Sequence, residues 1–153
     1  MASSVNLDIS QQLDITCRRG DTFVLKLSFT NDQGGPFPVD SPHPTLGSVP
    51  TYGFSMDVRE SDTDDGAQAL LSTDSNSIAA GLTRPITISY VAPVESGVIQ
   101  LKVDADVMSQ IPGGSYVYDL QANTLDGDGN ITKIETWVFG AFTVNEDVTI
   151  RNV

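Results

Sequence analysis

Between residues 21 and 31, Phe23, Leu25, Leu27 and Phe29 take every second position, with Thr22, Val24, Lys26 and Ser28 between them. A side-chain period of two is the geometry of an extended strand with one face buried, and a helix of 3.6 residues per turn cannot present it. Residues 52–60 repeat the pattern with Tyr52, Phe54, Met56 and Val58, as do residues 85–90 with Ile86, Ile88 and Tyr90, and 98–103 with Ile99, Leu101 and Val103. Residues 115–123, 131–139 and 141–144 are rich in aromatic and β-branched side chains, and 13–16 and a weaker 67–72 complete the set.

The punctuation agrees with short strands. Leu125-Asp126-Gly127-Asp128-Gly129-Asn130 carries two Asp-Gly steps and reads as a hairpin loop. Residues 61–66 form an acidic turn, and residues 31–51 hold five prolines, which cannot donate to a sheet ladder. One helical turn is expected near 104–111, capped by Asp104 and stopped by Pro112-Gly113-Gly114. The fold class that follows is all-β: an antiparallel, immunoglobulin-like β-sandwich of about seven to nine strands. Residues 1–12 read as a polar arm and residues 13–153 as a single domain. At 153 residues such a domain buries about 70% of its unfolded surface and needs no metal or disulfide for stability.

Eight Lys and Arg against twenty Asp and Glu give a formal net charge of −12. Phosphate backbones and anionic lipid surfaces are bound by clustered cations, and here only Arg18 and Arg19 stand together. The expectation is therefore no nucleic-acid partner and no membrane partner. No apolar run approaches the ~18 residues of a spanning helix, and the first ten residues lack the basic start and apolar stretch of a secretory signal. A product made in the cytoplasm and soluble there is expected.

Candidate chemistry is sparse. Asp126, Asp128 and Asn130 have the alternation that begins an EF-hand calcium loop, but Ile131 stands where that loop needs Gly and Trp137 where it needs a bidentate Glu. The three are kept as calcium candidates beside the plainer reading of a tight hairpin. Asp62, Asp64 and Asp65, with Glu60 nearby, form a second acidic cluster that reads as a solvated turn. The single histidine, His43, sits among prolines with no partner for acid–base work, and the single cysteine, Cys17, continues the strand pattern of Leu13 and Ile15 as a small buried hydrophobe. One Cys and one His cannot furnish a zinc site. Trp137 and Phe139 read as core residues rather than a sugar-stacking platform, and sixteen Asp offer carboxylate pairs that spacing alone cannot select. No cofactor is expected, and no catalytic constellation is present.

The stretch Val107-Met108-Ser109-Gln110-Ile111-Pro112-Gly113-Gly114-Ser115-Tyr116-Val117-Tyr118-Asp119-Leu120-Gln121 resembles a segment common in small tailed-phage virion proteins, where a short helix ends in a Pro-Gly turn before a Tyr-x-Tyr-Asp-Leu strand. Arg19-Gly20-Asp21-Thr22 before the first long strand, Tyr52-Gly53-Phe54-Ser55-Met56-Asp57-Val58-Arg59, Gly140-Ala141-Phe142-Thr143-Val144 and Asp147-Val148-Thr149 follow in the same order. Together they resemble the immunoglobulin-like N-terminal domain of phage baseplate upper proteins, with a lengthened Pro-rich connection at residues 34–50. The resemblance implies a non-enzymatic structural part of a tailed-phage virion, at the baseplate, tail or fibre attachment point. It would act as a homo-oligomer with other virion proteins as partners, through residues 1–12, 31–51 and 146–153. Two other readings stay open: a capsid decoration or head-fibre base protein, and a host-surface module that binds carbohydrate or calcium.

Overall fold

The computed structural model describes residues 2–6, 10–31, 33–41, 45, 50–61, 69–74, 78, 81–93 and 95–146, with residues 2–6 described by backbone alone. Among these residues, ten strands and one helical turn follow in the order β1 (Ala2–Asn6), β2 (Gln11–Gln12), β3 (Ile15–Arg18), β4 (Phe23–Thr30), β5 (Tyr52–Arg59), β6 (Leu71–Ser72), β7 (Thr87–Tyr90), β8 (Val98–Val103), α1 (Ala105–Met108), β9 (Gly114–Leu125) and β10 (Ile131–Asn145). They form two sheets, β1-β4-β8-β7 and β2-β10-β9-β5-β6, with β3 also on β10. The protein is an all-β sandwich.

Its centre is antiparallel: β4 with β8, β7 with β8, β5 with β9, and β9 with β10. The pairing is not antiparallel throughout. Ala2–Asn6 runs parallel to Lys26–Thr30, and β2 and β3 both run parallel to β10. Residues 1–12, read from the sequence as an arm, thus supply two strands to the sheets of their own chain. Polar composition hid them, because an edge strand gains its hydrogen bonds whatever its side chains are.

The two sheets meet over the alternating apolar residues. Phe23 of β4 packs edge-on against Phe142 of β10, with ring centroids 5.4 Å apart. Trp137 gathers Phe29, Phe37, Tyr52 and Phe54 around it, at 5.1–5.8 Å. Leu27, Phe29, Met56, Leu101, Leu120 and Phe142 are fully buried. The Tyr90 hydroxyl donates to the Tyr52 carbonyl and ties one sheet to the other.

Part of the Pro-rich connection belongs to this core. The Phe37 amide donates to the Phe29 carbonyl at 2.9 Å, Phe37 packs on Trp137, and Val39 is wholly buried. Gly97 makes room for this docking, since a β-carbon there would come within 2.9 Å of the Phe29 and Phe37 carbonyl oxygens.

The segments 131–139 and 141–144 are one strand, continuous through Gly140. A bulge interrupts its inward–outward alternation: Thr136 pairs with Gln121 and Val138 with Leu120, so Trp137 is the extra residue. Trp137 and Val138 therefore both face the core, and Phe139 turns outward with 40% of its surface exposed. Trp137 is a core residue as expected, and Phe139 is not. The helix is one turn, Ala105–Met108, prolonged by turn hydrogen bonds to Ile111. Asp104 sits at its N-cap without a capping side-chain bond and lies 3.7 Å from the Lys102 ammonium instead. No helix among the described residues is long and apolar enough to cross a membrane.

Candidate functional site

On the outer face of the six-stranded sheet, the residues between the core positions line up in rows across the strands. Asp57 of β5 pairs with Asp119 of β9, which pairs with Phe139 of β10, and the row runs on to Gln12 of β2 and Ser72 of β6. The next row towards the hairpin is Ser55, Gln121 and Thr136; beyond it stand Gly53, Asn123 and the 57%-exposed Ile134. On the other side Arg59, Val117 and Ala141 align. Neighbouring strands lie about 4.8 Å apart, so residues of one row touch. An open groove of about 880 Å³ runs over this face.

Two carboxylates placed directly opposite one another cost up to about 1 kcal/mol relative to neutral neighbours. Asp57 is compensated by Arg59, 2.9 Å away, and by the Ser72 hydroxyl, which donates to its other oxygen. Ser72 is fixed in turn by accepting from the Asp74 amide at 2.9 Å. Asp119 is held less favourably. Burial raises its pKa above the usual carboxylate value and the neighbouring Asp57 charge raises it further, while Arg59 and a hydrogen bond from Gln121 act in the opposite sense. The row thus presents an aromatic ring, a carboxylate that resists ionisation and a second carboxylate already paired, in that order. Such an arrangement accepts hydrogen bonds from a cation and can stack a planar one.

A second polar cluster lies where α1 meets the strands. The Arg19 Nε donates to the Ser109 carbonyl at 2.9 Å, its Nη1 pairs with Glu146 at 3.3 Å, and Glu146 also accepts from the Gly113 amide at 2.9 Å. The Tyr116 hydroxyl donates to the Pro112 carbonyl at 2.6 Å. These bonds close the turn.

Of the residues singled out from sequence, Phe139 lies in the outer row and Arg19 in the second cluster, while the calcium candidates and Cys17 fall elsewhere. The Asp126 Oδ1 accepts from the amides of Asp128 and Asn130, both at 2.9 Å, and Gly129 takes the left-handed conformation that closes the hairpin. Those backbone bonds hold the Asp126 carboxyl below its usual range. Among the described residues, no three His, Cys, Asp or Glu side chains come together to hold a metal ion. Cys17 is half-buried, its Sγ 3.6 Å from the Thr143 carbonyl, and burial pushes the thiol up to about 11. His43, Asp62, Asp64, Asp65 and residues 147–153 lie outside the described residues.

Asp57 and Asp119 were not singled out beforehand. Each was visible only as an acid at an outward strand position, and nothing in the chain's order shows that β5 and β9 set them opposite one another. No protein-family model matches the chain, and no curated protein sequence matches it.

Proposed function

We propose that the chain is a non-enzymatic structural component of a tailed-phage virion, at the baseplate, tail or fibre attachment point, and that it works by protein–protein assembly. The reading rests on the resemblance to the baseplate upper-protein domain, and one observation supports it most. Two of the stretches that carry the resemblance, residues 19–22 and 107–121, are far apart in sequence yet are joined by a set of structural locks in which Glu146 and Leu13 also take part. Arg19 binds the Ser109 carbonyl, Glu146 holds Arg19 and Gly113, Tyr116 closes on Pro112, and Tyr118 reaches Leu13. A motif made of such locks describes a scaffold, and scaffolds of this kind act through their edges and faces. Among the described residues, β1 and β7 are the outermost strands of the four-stranded sheet.

An antibody against the chain, imaged by negative stain on purified particles of the phage that encodes it, tests the proposal. Label at the tail end is expected. Label over the head would instead favour the capsid-decoration reading. If mass spectrometry of purified, denatured particles lacks the chain, the virion reading fails.

A further inference from the structure

From the row Phe139–Asp119–Asp57 we infer that the outer face of β5, β9 and β10 is a docking surface for an arginine-bearing segment of a partner protein. The inference deepens the assembly reading, and rests on it, by giving the surface and the chemistry of the partner.

Three observations favour this occupant. The chain carries a formal charge of −12, and the groove is lined by Asp14, Asp57, Asp74 and Asp119 against Arg59, so a cationic ligand is drawn to it and an anionic one repelled. Phe139 is exposed on a strand interior, where the bulge at Trp137 has turned it outward, directly beside Asp119. A guanidinium is the cation that uses both neighbours at once: its plane stacks on an aromatic face while its edge donates two parallel hydrogen bonds to a carboxylate. An ammonium, a hydrated point charge, uses only the carboxylate. Finally, Arg59 already occupies Asp57 from within the chain, so the row contains a working example of the contact one strand away from where the partner's arginine would sit.

Asp119 is half-buried between Asp57 and Phe139, where burial and the Asp57 charge weigh against its ionised form more than Arg59 and Gln121 favour it, and an added cation would favour it further. Docking then gains twice, from the new charge-assisted bonds and from relief of the Asp57–Asp119 repulsion.

The test is an amide-resolved NMR titration of the full chain with the blocked peptide Ac-Arg-Gly-Arg-Gly-Arg-amide, with the lysine peptide of the same length and an acidic peptide as controls. Shifts are expected to concentrate on residues 53–59, 117–123 and 134–141, with the arginine peptide binding more tightly than the lysine one. Asp119→Asn and Phe139→Ala should each weaken arginine-peptide binding by about ten-fold, as loss of a central contact does. Both side chains face outward, and unshifted core resonances check that each variant is folded. Equal shifts with both basic peptides, scattered over the surface and indifferent to the two variants, would overturn the inference, as would no shift on this face. A neutral oligosaccharide such as cellohexaose moving the same amides in an Asp119-dependent way would also overturn it, in favour of sugar recognition. Failure of the peptide with tail label in place removes this surface and keeps the virion reading; peptide binding by a chain absent from particles does the reverse.

Discussion

The Tyr118 hydroxyl donates to the main-chain carbonyl of Leu13 at 2.5 Å, joining residues 105 apart in sequence. Leu13 lies in the short step between β2 and β3, where the parallel ladder to β10 is interrupted. Its amide still reaches the Phe139 carbonyl at 2.9 Å, and the Asp14 carboxylate stands in for the missing backbone acceptor by taking the Ala141 amide at 3.0 Å. Tyr118→Phe removes the donor and leaves the Leu13 carbonyl unpaired. A loss of about 1 kcal/mol is expected, read as a lower urea midpoint with an unchanged slope.

Gly140 is the matching half of that junction. A β-carbon there would collide with the Leu13 carbonyl and stand 2.9 Å from the Asp14 Oδ1, and the Leu13 side of the clash is backbone that cannot swing aside. Gly140→Ala should cost about 1–3 kcal/mol, as overpacking does. Amide exchange would quicken first in β2 and β3.

Trp137 is the single tryptophan and touches four other rings. Trp137→Ala should destabilise the fold by about 3–5 kcal/mol. Trp137→Phe keeps part of the ring cluster and should cost clearly less. Circular dichroism melts compare the three proteins without relying on the lost fluorophore.

The strained acid in the outer row has a pH signature. The folded-state pKa of Asp119 is raised above the ordinary 3.8, so its contribution to stability is full below 3.8 and is lost as pH rises through the raised value. Asp119→Asn abolishes that loss. Its melting temperature should exceed that of the parent at pH 7, and the difference should vanish in acid below about pH 4.

Asp126 behaves in the opposite sense. Its carboxyl is lowered by the Asn130 and Asp128 amides, so its contribution is present above 3.8 and disappears as pH falls through the lowered value. Asp126→Ala should therefore lower the melting temperature at pH 7 and leave it unchanged in strong acid. If the loop is a hairpin clasp, adding calcium or a chelator shifts neither melt; a rise of several degrees with calcium would mark a bound ion.

Much of this architecture was legible as periodicity. Phe23, Leu25, Leu27 and Phe29, or Ile99, Leu101 and Val103, announce their strands because each buries one face, and β8 begins and ends where the alternation does. Strands without an apolar alternation leave no such trace. Ala-Ser-Ser-Val-Asn, which pairs with β4, carries no such alternation, and β2 is two glutamines on the edge of β10. Phe139 was misplaced because alternation counts residues, and one inserted residue at Trp137 shifts the count; no local residue type marks that bulge. The candidate site was hidden for a different reason. Asp57 and Asp119 become neighbours only through the register of β5 on β9, and register is set by the whole hydrophobic pattern acting together.

The parallel pairing of β3 with β10 sets Ile15 beside Phe142 and Arg18 beside Asn145. A ribosome delivers the first of these partners long before the second, and at about 5–20 residues per second the interval is on the order of ten seconds. Until residues 142–145 emerge, β3 has no edge to join, and the apolar face of β4 waits for Phe142 to cover Phe23. Pairings of such long sequence separation are slow to form. β2 and β3 are therefore made early and paired late, and the nascent protein must keep them from foreign edges until β10 arrives.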